Sequence, residues 1–235
     1  MARPPERVKK RHVGAPASHD AHSIPPMTMS TAESDARESI CAYGRSIFDR
    51  GLTSGSSGNI SVRLGDGWLM TPTGVSLARL DPATLTRLDA TGRHSGGAPP
   101  TKERSLHLAI YAARPHEQAI VHLHSTYSTA VSCLDNVDRD DVLPPLTAYY
   151  VMRVGTLPLV PYFPPGDAGL AEAAGKRAAR SHALLLANHG PVVAGATLEA
   201  AVDAVEVLEQ TARVFLLLRG APVRLLTDAE VRQLR

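Results

Sequence analysis

Along this chain the spacing of apolar residues switches between a period near 3.6 and a period of two, and each switch marks an element. Ile40, Tyr43, Ile47 and Phe48 recur at helical spacing behind Ser30-Thr31-Ala32-Glu33, an S-x-x-E helix start, and Gly51 supplies the stop. Ile60-Ser61-Val62-Arg63-Leu64 alternates strictly, Gly65-Asp66-Gly67 turns the chain, and residues 68–71 return, which predicts a β-hairpin. Asp81-Pro82 suits the start of one short helical turn, and residues 85–89 read as a further strand. A helix is expected from Thr101 to about Arg114, ended by Pro115, with Leu106, Ile110 and Tyr111 as its buried stripe and Glu103 in its first turn.

The apolar run Ala119-Ile120-Val121 then continues as a strand through His122-Leu123-His124. A helix over 127–134, short strands near 148–154 and 157–160, a helix opened by Asp167, and a buried strand over 183–187 follow. Thr197 caps the longest helix, which runs to Leu218 with Ala201, Val205, Leu208, Ala212 and Phe215 on one side, and residues 227–234 form a small terminal helix. Together these elements give an α/β fold: a mixed sheet with helices on its faces and no internal repeat.

Composition narrows the class of protein. The 235 residues suit one α/β domain, with 43% hydrophobic and 20% charged residues. No apolar run is long enough to span a bilayer, so no membrane partner is expected. A formal charge of +2 implies no nucleic-acid partner. The two cysteines, Cys41 and Cys133, make neither a disulfide framework nor a C-x-x-C motif, which suits a reducing cytoplasm. The charge is unevenly placed. Residues 1–30 hold five basic and two acidic side chains, together with five prolines, leaving the remainder at −1. Residues 1–29 are therefore expected to be a disordered basic arm with no secretory signal, Met27 and Met29 being plausible alternative starts, and residues 30–235 a catalytic domain.

The candidate chemistry lies at the centre of the chain. Strand side chains alternate, so His122 and His124 point to one side while Leu123 turns into a core. Two such imidazoles can chelate a divalent metal, although H-x-H alone fits a wet strand face equally well. A third histidine ends a strand in Asn188-His189-Gly190, and Glu103 adds a carboxylate. Three histidines with one open position are a catalytic arrangement, and a nearby carboxylate can carry a proton. Gly55-Ser56-Ser57-Gly58-Asn59 offers N–H groups and hydroxyls for a phosphate, or is simply a turn; it lacks the G-K-[ST] of a P-loop. His107 and His116 read as structural.

Segments 55–61, 71–74, 100–103, 121–125 and 188–190 occur in the order and spacing of the class II aldolase/adducin family, which the chain resembles from about Thr31 to Gly220. The resemblance implies a three-layer α/β/α fold with a central mixed, largely antiparallel sheet. It also implies a homotetramer with active sites at subunit interfaces. By the same likeness His122, His124 and His189 match zinc ligands, with Mn2+ or Co2+ as other candidate ions. Glu103 matches an acid/base glutamate that can also touch the metal. Ser56, Asn59, Thr73, Gly74 and Thr101 match phosphate- and substrate-holding positions. Tyr149 is the nearest match to a tyrosine acid supplied by a neighbouring subunit.

Within the family, Pro100-Thr101-Lys102-Glu103, residues 143–150 and residues 184–195 resemble the branch that decarboxylates 3-oxo-tetronate 4-phosphates. Lys102 stands where the fuculose-phosphate aldolases have a serine, which suggests a second anion on the substrate. The implied activity is a carbon–carbon lyase acting on a small phosphorylated sugar acid. The alternatives are a sugar-phosphate aldolase, a 4-epimerase (whose members carry aspartate at the position of Glu103), a methylthioribulose-phosphate dehydratase and an adducin-like binding module.

Overall fold

The computed structural model describes Met1, Ala2 and residues 30–234, so most of the expected arm lies outside the described residues. Helix α1 (Thr31–Asp49) opens with the Ser30 side chain accepting from the Glu33 backbone N–H. Strands β1 (Asn59–Leu64) and β2 (Gly67–Met70) form the expected hairpin, extended by β3 (Thr86–Leu88) and β4 (His94–Gly96). Between β2 and β3, Asp81 caps a single 3-10 turn at Pro82–Thr84. Helix α2 (Arg104–Ala113), strand β5 (Ala119–His122) and helix α3 (Thr126–Ser132) follow. Then come α4 (Ala148–Arg153), β6 (Leu159–Val160), α5 (Ala168–Ala178), β7 (Ala183–Leu186), β8 (Gly190–Gly195), α6 (Leu198–Leu217) and α7 (Asp228–Gln233).

The eight strands make one sheet in the order β4-β3-β2-β1-β5-β8-β7-β6. Every neighbouring pair is antiparallel except β6 with β7. Strand alternation sorts the core into two layers. Ile60, Val62, Val121, Leu185 and Val193 face α1, α3, α4 and α6, where Ile40, Ile47, Val131, Tyr150, Val205 and Leu208 meet them. Ile120, Leu184, Leu186, Val192 and Ala194 face α2 and α5, packing on Leu106, Ile110, Leu170 and Ala174. Each such side chain taken fully from water contributes about 1.5–3 kcal/mol, so the two apolar layers fix the register of the sheet. The expected α/β/α layering and largely antiparallel sheet are both present.

Four local expectations need correction. The strand expected to run through His124 ends at His122, and Leu123 and His124 lie beyond it. Residues 148–154 were expected to be strand and are helix α4: Thr147 accepts from the Tyr150 N–H at 3.2 Å and starts the helix, which packs on α6. β8 was not expected at all, and it is a central strand that contains Pro191, a residue usually confined to edge strands. Pro191 gives the ladder no N–H, but its carbonyl still accepts from the Leu123 N–H at 3.1 Å. Finally, α2 begins at Arg104 with Glu103 as its N-cap residue, so Thr101 does not cap it; the Glu103 side chain makes no cap bond and turns elsewhere.

Candidate metal centre and active site

β5 and β8 lie side by side, and their ends deliver the histidines. His122 is the last residue of β5, paired with Val192 on one side and Asn59 on the other. His124 follows one residue beyond Leu123, which is buried in the core. His189 sits in the turn between β7 and β8, where Asn188 adopts a left-handed backbone (φ 54) that asparagine tolerates better than most residues. Gly190 is required by close approach: a Cβ there would lie 2.3 Å from the Leu123 carbonyl oxygen. Helix α3 steadies this turn, with Thr129 Oγ1 donating to the His189 carbonyl at 3.1 Å and Ser132 Oγ accepting from the His189 N–H at 3.3 Å.

The three imidazoles converge. His124 Nε2 is 3.2 Å from His122 Nε2 and 3.1 Å from His189 Nε2. Glu103 places Oε2 3.3 Å from His122 Nε2 and Oε1 3.4 Å from His189 Nε2. One ligand atom from each of the four lies within 4.8 Å of the others. Donors held at ~2.0–2.1 Å around a tetrahedral ion sit roughly 3.3–3.4 Å from one another, so the spacing fits a zinc-sized cation. Two further features agree. His122 Nδ1 is 2.8 Å from the Pro191 carbonyl, so Nδ1 donates its hydrogen and Nε2 turns its lone pair inward. Glu103 Oε1 is buried with no hydrogen-bond partner, an acceptor left open in the cluster.

Electrostatics prepares the donors. Burial, together with the neighbouring charge of His122, pushes His124 down to about 4, and the same two causes push His189 to about 4. Both are therefore neutral ligands near pH 7. Burial would also lower His122, but the charge and hydrogen bond of Glu103 and the Pro191 carbonyl outweigh it and raise its pKa. Burial would raise Glu103, but His122 by charge and hydrogen bond, then Asn59, then His189, hold its carboxyl well below the usual carboxylate range. A divalent cation bound here would take over the part played by the His122 proton in balancing this carboxylate.

A cavity of about 240 Å3 opens beside the cluster. Ser56, Ser57, Gly58 and Asn59 line it from the loop before β1, Thr73 and Gly74 from the loop after β2, and Thr101, Lys102 and Glu103 from the start of α2, with His124 and His189 at its floor. The last two loops are tied together by the Thr73 N–H, which donates to the Pro99 carbonyl at 3.0 Å. All of the residues singled out in the sequence for phosphate and substrate thus share one cavity. Tyr149 does not. It is 67% exposed on α4 and borders a groove with Val207 and Val214 of α6. Sequence reasoning missed a second opening, of about 380 Å3, where Thr129, Tyr162, Pro165 and Asn188 meet His124 and His189. It also missed the polar residues behind Glu103, treated below. Their signal is a matched pair of spacings, E-x-x-x-H-x-x-x-Y on α2 and N-x-S on β1, which puts two polar rows face to face.

A three-histidine, one-carboxylate cluster at the ends of the central strands of an α/β/α fold has the make-up of a catalytic metal site, and the comparisons with known proteins agree. Residues 38–216 match the family described as Class II Aldolase and Adducin N-terminal domain, and the chain belongs to that family. It is 50% identical over 199 residues to the 3-oxo-tetronate 4-phosphate decarboxylase of Haemophilus influenzae, covering 84% of this chain and 95% of the relative. The crystal structure of YgbL from Escherichia coli superposes with a TM-score of 0.85 at 45% identity, covering 87% of this chain and all (100%) of that one. The L-fuculose phosphate aldolase of Escherichia coli is more distant, at 34% identity over 77% of this chain and 83% of its own.

Proposed function

We propose that the chain is a divalent-metal-dependent carboxy-lyase that converts a 3-oxo-tetronate 4-phosphate into dihydroxyacetone phosphate and carbon dioxide. The observation that carries this is the open Glu103 oxygen facing three imidazole nitrogens on the floor of a cavity that Lys102 also lines. The decarboxylase named among the relatives is half identical to this chain, whereas the aldolase is a third identical. His122, His124 and His189 would hold the ion, zinc before Mn2+ or Co2+, with Glu103 able to approach it when no substrate is bound. When bound, the ion supplies Lewis acidity for the ketone oxygen.

The substrate carboxylate is β to its ketone. When the C1–C2 bond breaks, its electron pair passes to C2, the ketone conjugates it as an enediolate, and one proton is taken up at C2. Glu103 is the group to hold that proton or relay it through water. Ser56, Asn59, Thr73, Gly74 and Thr101 would bind the phosphate end and orient C2 toward Glu103. Lys102 would face the carboxylate until it departs. Tyr149, exposed and remote from its own chain's cavity, suits a role at the site of a neighbouring subunit, and with it goes a homotetramer in the cytoplasm.

The test is a coupled assay for dihydroxyacetone phosphate and carbon dioxide with a panel of phosphorylated 3-oxo acids, run on protein of measured metal content. Product formation from one of them, lost on chelation and restored by zinc, is the expected result. Condensation of dihydroxyacetone phosphate with an aldehyde, without carbon dioxide release from any oxo acid, would make the chain an aldolase. Sedimentation of the full chain as a monomer would remove the tetramer and the role given to Tyr149.

A further inference from the structure

A row of buried polar side chains runs away from Glu103 between α2 and β1. Glu103, His107 and Tyr111 are spaced by four on α2, and they face Asn59 and Ser61, spaced by two on β1. Asn59 Nδ2 is 2.8 Å from Glu103 Oε2, and Asn59 Oδ1 is 2.5 Å from His107 Nε2. His107 Nδ1 is 2.7 Å from Ser61 Oγ, and the Tyr111 hydroxyl is 3.0 Å from both Ser61 Oγ and the Ser61 carbonyl. All five side chains are buried.

The placement of the hydrogens from Asn59 to Ser61 follows from one end. The Glu103 carboxylate only accepts, so Asn59 must turn its NH2 toward it. The amide oxygen of Asn59 then faces His107, and since it too only accepts, His107 must carry its hydrogen on Nε2. Burial holds His107 neutral, with its pKa lowered to about 3. Its Nδ1 is therefore a bare lone pair, and the Ser61 hydroxyl donates to it. Tyr111 closes the row by donating its one hydroxyl hydrogen to Ser61, whose carbonyl and hydroxyl oxygens both lie at 3.0 Å. The donors of Ser61, His107 and Asn59 all point toward Glu103, so these hydrogen bonds polarise one another in one direction.

We propose that His107 is a positioning residue which, through Asn59, fixes the end of the amide that faces the active site. Held this way, Asn59 gives one N–H to Glu103 and keeps the other for an acceptor oxygen in the cavity that it lines. Such an oxygen belongs to a phosphate, a hydroxyl or an enediolate. Without the His107 N–H, Glu103 alone holds the amide and the Asn59 oxygen loses its buried donor, so the amide can swing out of the plane that keeps its second N–H directed into the cavity.

The kinetic part of the test rests on the lyase reading, and the spectroscopic part does not. In the zinc-loaded full chain with 15N-labelled histidine, the His107 signals, assigned by their loss in His107→Gln, should show the Nε2–H tautomer. An Nδ1–H tautomer overturns the proposal, whatever reaction the protein performs. In the kinetic part, His107→Leu should lower kcat/KM roughly ten- to a hundredfold with zinc content unchanged, the size usual for removing an outer partner of a metal site. His107→Gln, whose side chain can donate to Asn59 and accept from Ser61, should recover to within about threefold. On an Asn59→Ala background the His107→Gln and His107→Leu proteins should be equally active. Equal losses in the two single variants, or a His107 effect that persists without Asn59, would leave the row as core packing. If the wild-type chain turns over no oxo acid, the lyase reading fails while the tautomer still decides the proposal.

Discussion

Two glutamates are buried in this protein to nearly the same extent, Glu103 at 6% exposure and Glu209 at 7%, and they differ in everything else. Glu209 reaches from α6 to the start of α3. Its Oε1 accepts from the Tyr127 N–H at 2.8 Å, and its Oε2 from the Ser128 N–H at 2.8 Å and the Ser128 hydroxyl at 2.7 Å. An anion there satisfies N–H groups that a helix start leaves open. Glu103 sits at the start of its own helix, where an acid ordinarily serves the same purpose, yet it makes no cap bond. One of its oxygens is shared by Asn59 and His122, the other takes no hydrogen bond, and both lie against imidazole nitrogens. A buried carboxylate whose oxygens are all used by fixed backbone donors holds structure. One whose oxygen is open toward other lone-pair donors fits a cation. The two are connected, because α3, which Glu209 caps, also carries the Thr129 and Ser132 bonds to His189.

The sharpest way to break this contrast is to exchange the readouts. His124→Ala should abolish zinc binding and lower turnover by well over about a hundredfold, since even outer partners of a metal site are worth about 10–100-fold. Thermal unfolding of that metal-free variant should match the metal-free wild type. Glu103→Gln should keep one zinc per chain on the three histidines and lose about 10²–10⁴-fold in kcat, the range of a lost acid/base group. Its fold should be unharmed, because the amide can still accept from Asn59. Glu209→Ala should do the reverse. It leaves two N–H groups and a hydroxyl without an acceptor, and a stability loss of about 2–4 kcal/mol in urea is expected, with kcat nearly kept when the metal site is saturated. If Glu209→Ala instead loses turnover without losing stability, the assignment of the two glutamates is wrong.

Lys102→Ser comes next in size. Lys102 lines the cavity and is exposed, so its removal should leave stability within about 0.5 kcal/mol. If it faces a second anion, the lost charge-assisted bond is worth about 1.5–3 kcal/mol, roughly ten- to a hundredfold in kcat/KM for the oxo acid. The effect should be much smaller on binding of a phosphorylated ketose without a carboxylate, measured by competition. Equal losses for both ligands would make Lys102 a phosphate contact instead.

How much of this was legible in the sequence depends on whether the determining partner was local. His122, His124, Glu103 and His189 could be picked out because ligand chemistry restricts residue type and because they stand in family-like segments, not because of strand geometry: only His122 lies in a strand. β1 could be read from its alternation, and β5 and β7 from unbroken apolar runs that are buried on both faces. Residues 148–154 misled because Tyr149, Tyr150 and Val151 favour strands, and packing on α6 overrides that preference. β8 went unread, and with it Pro191, whose carbonyl accepts from the Leu123 backbone and orients His122. Glu209 was invisible because nothing near it in sequence marks the helix start it caps, some eighty positions earlier. His107 looked structural for the same reason, since Asn59 lies 48 positions away.

The smallest expected effect tests whether the row behind Glu103 is the acid-sensitive part of the core. Burial lowers the His107 pKa from its ordinary 6.5 to about 3. Above pH 6.5 the imidazole is neutral in folded and unfolded chains alike, and it contributes no pH dependence. As the pH falls below 6.5, the unfolded chain takes up a proton at this position that the folded chain refuses, so stability declines; the decline continues until about pH 3. At pH 5.5 it amounts to about 1.4 kcal/mol. Glutamine does not titrate, so His107→Gln removes this contribution while the other groups of the site stay in place. Urea unfolding of both proteins, metal-free with chelator present, should therefore show the wild type losing about 1.4 kcal/mol more than the variant between pH 7.5 and pH 5.5. Identical losses would mean that His107 accepts a proton while folded. It would then no longer be the neutral acceptor that Ser61 requires, and the one-directional row ending at Glu103 would be broken at its middle.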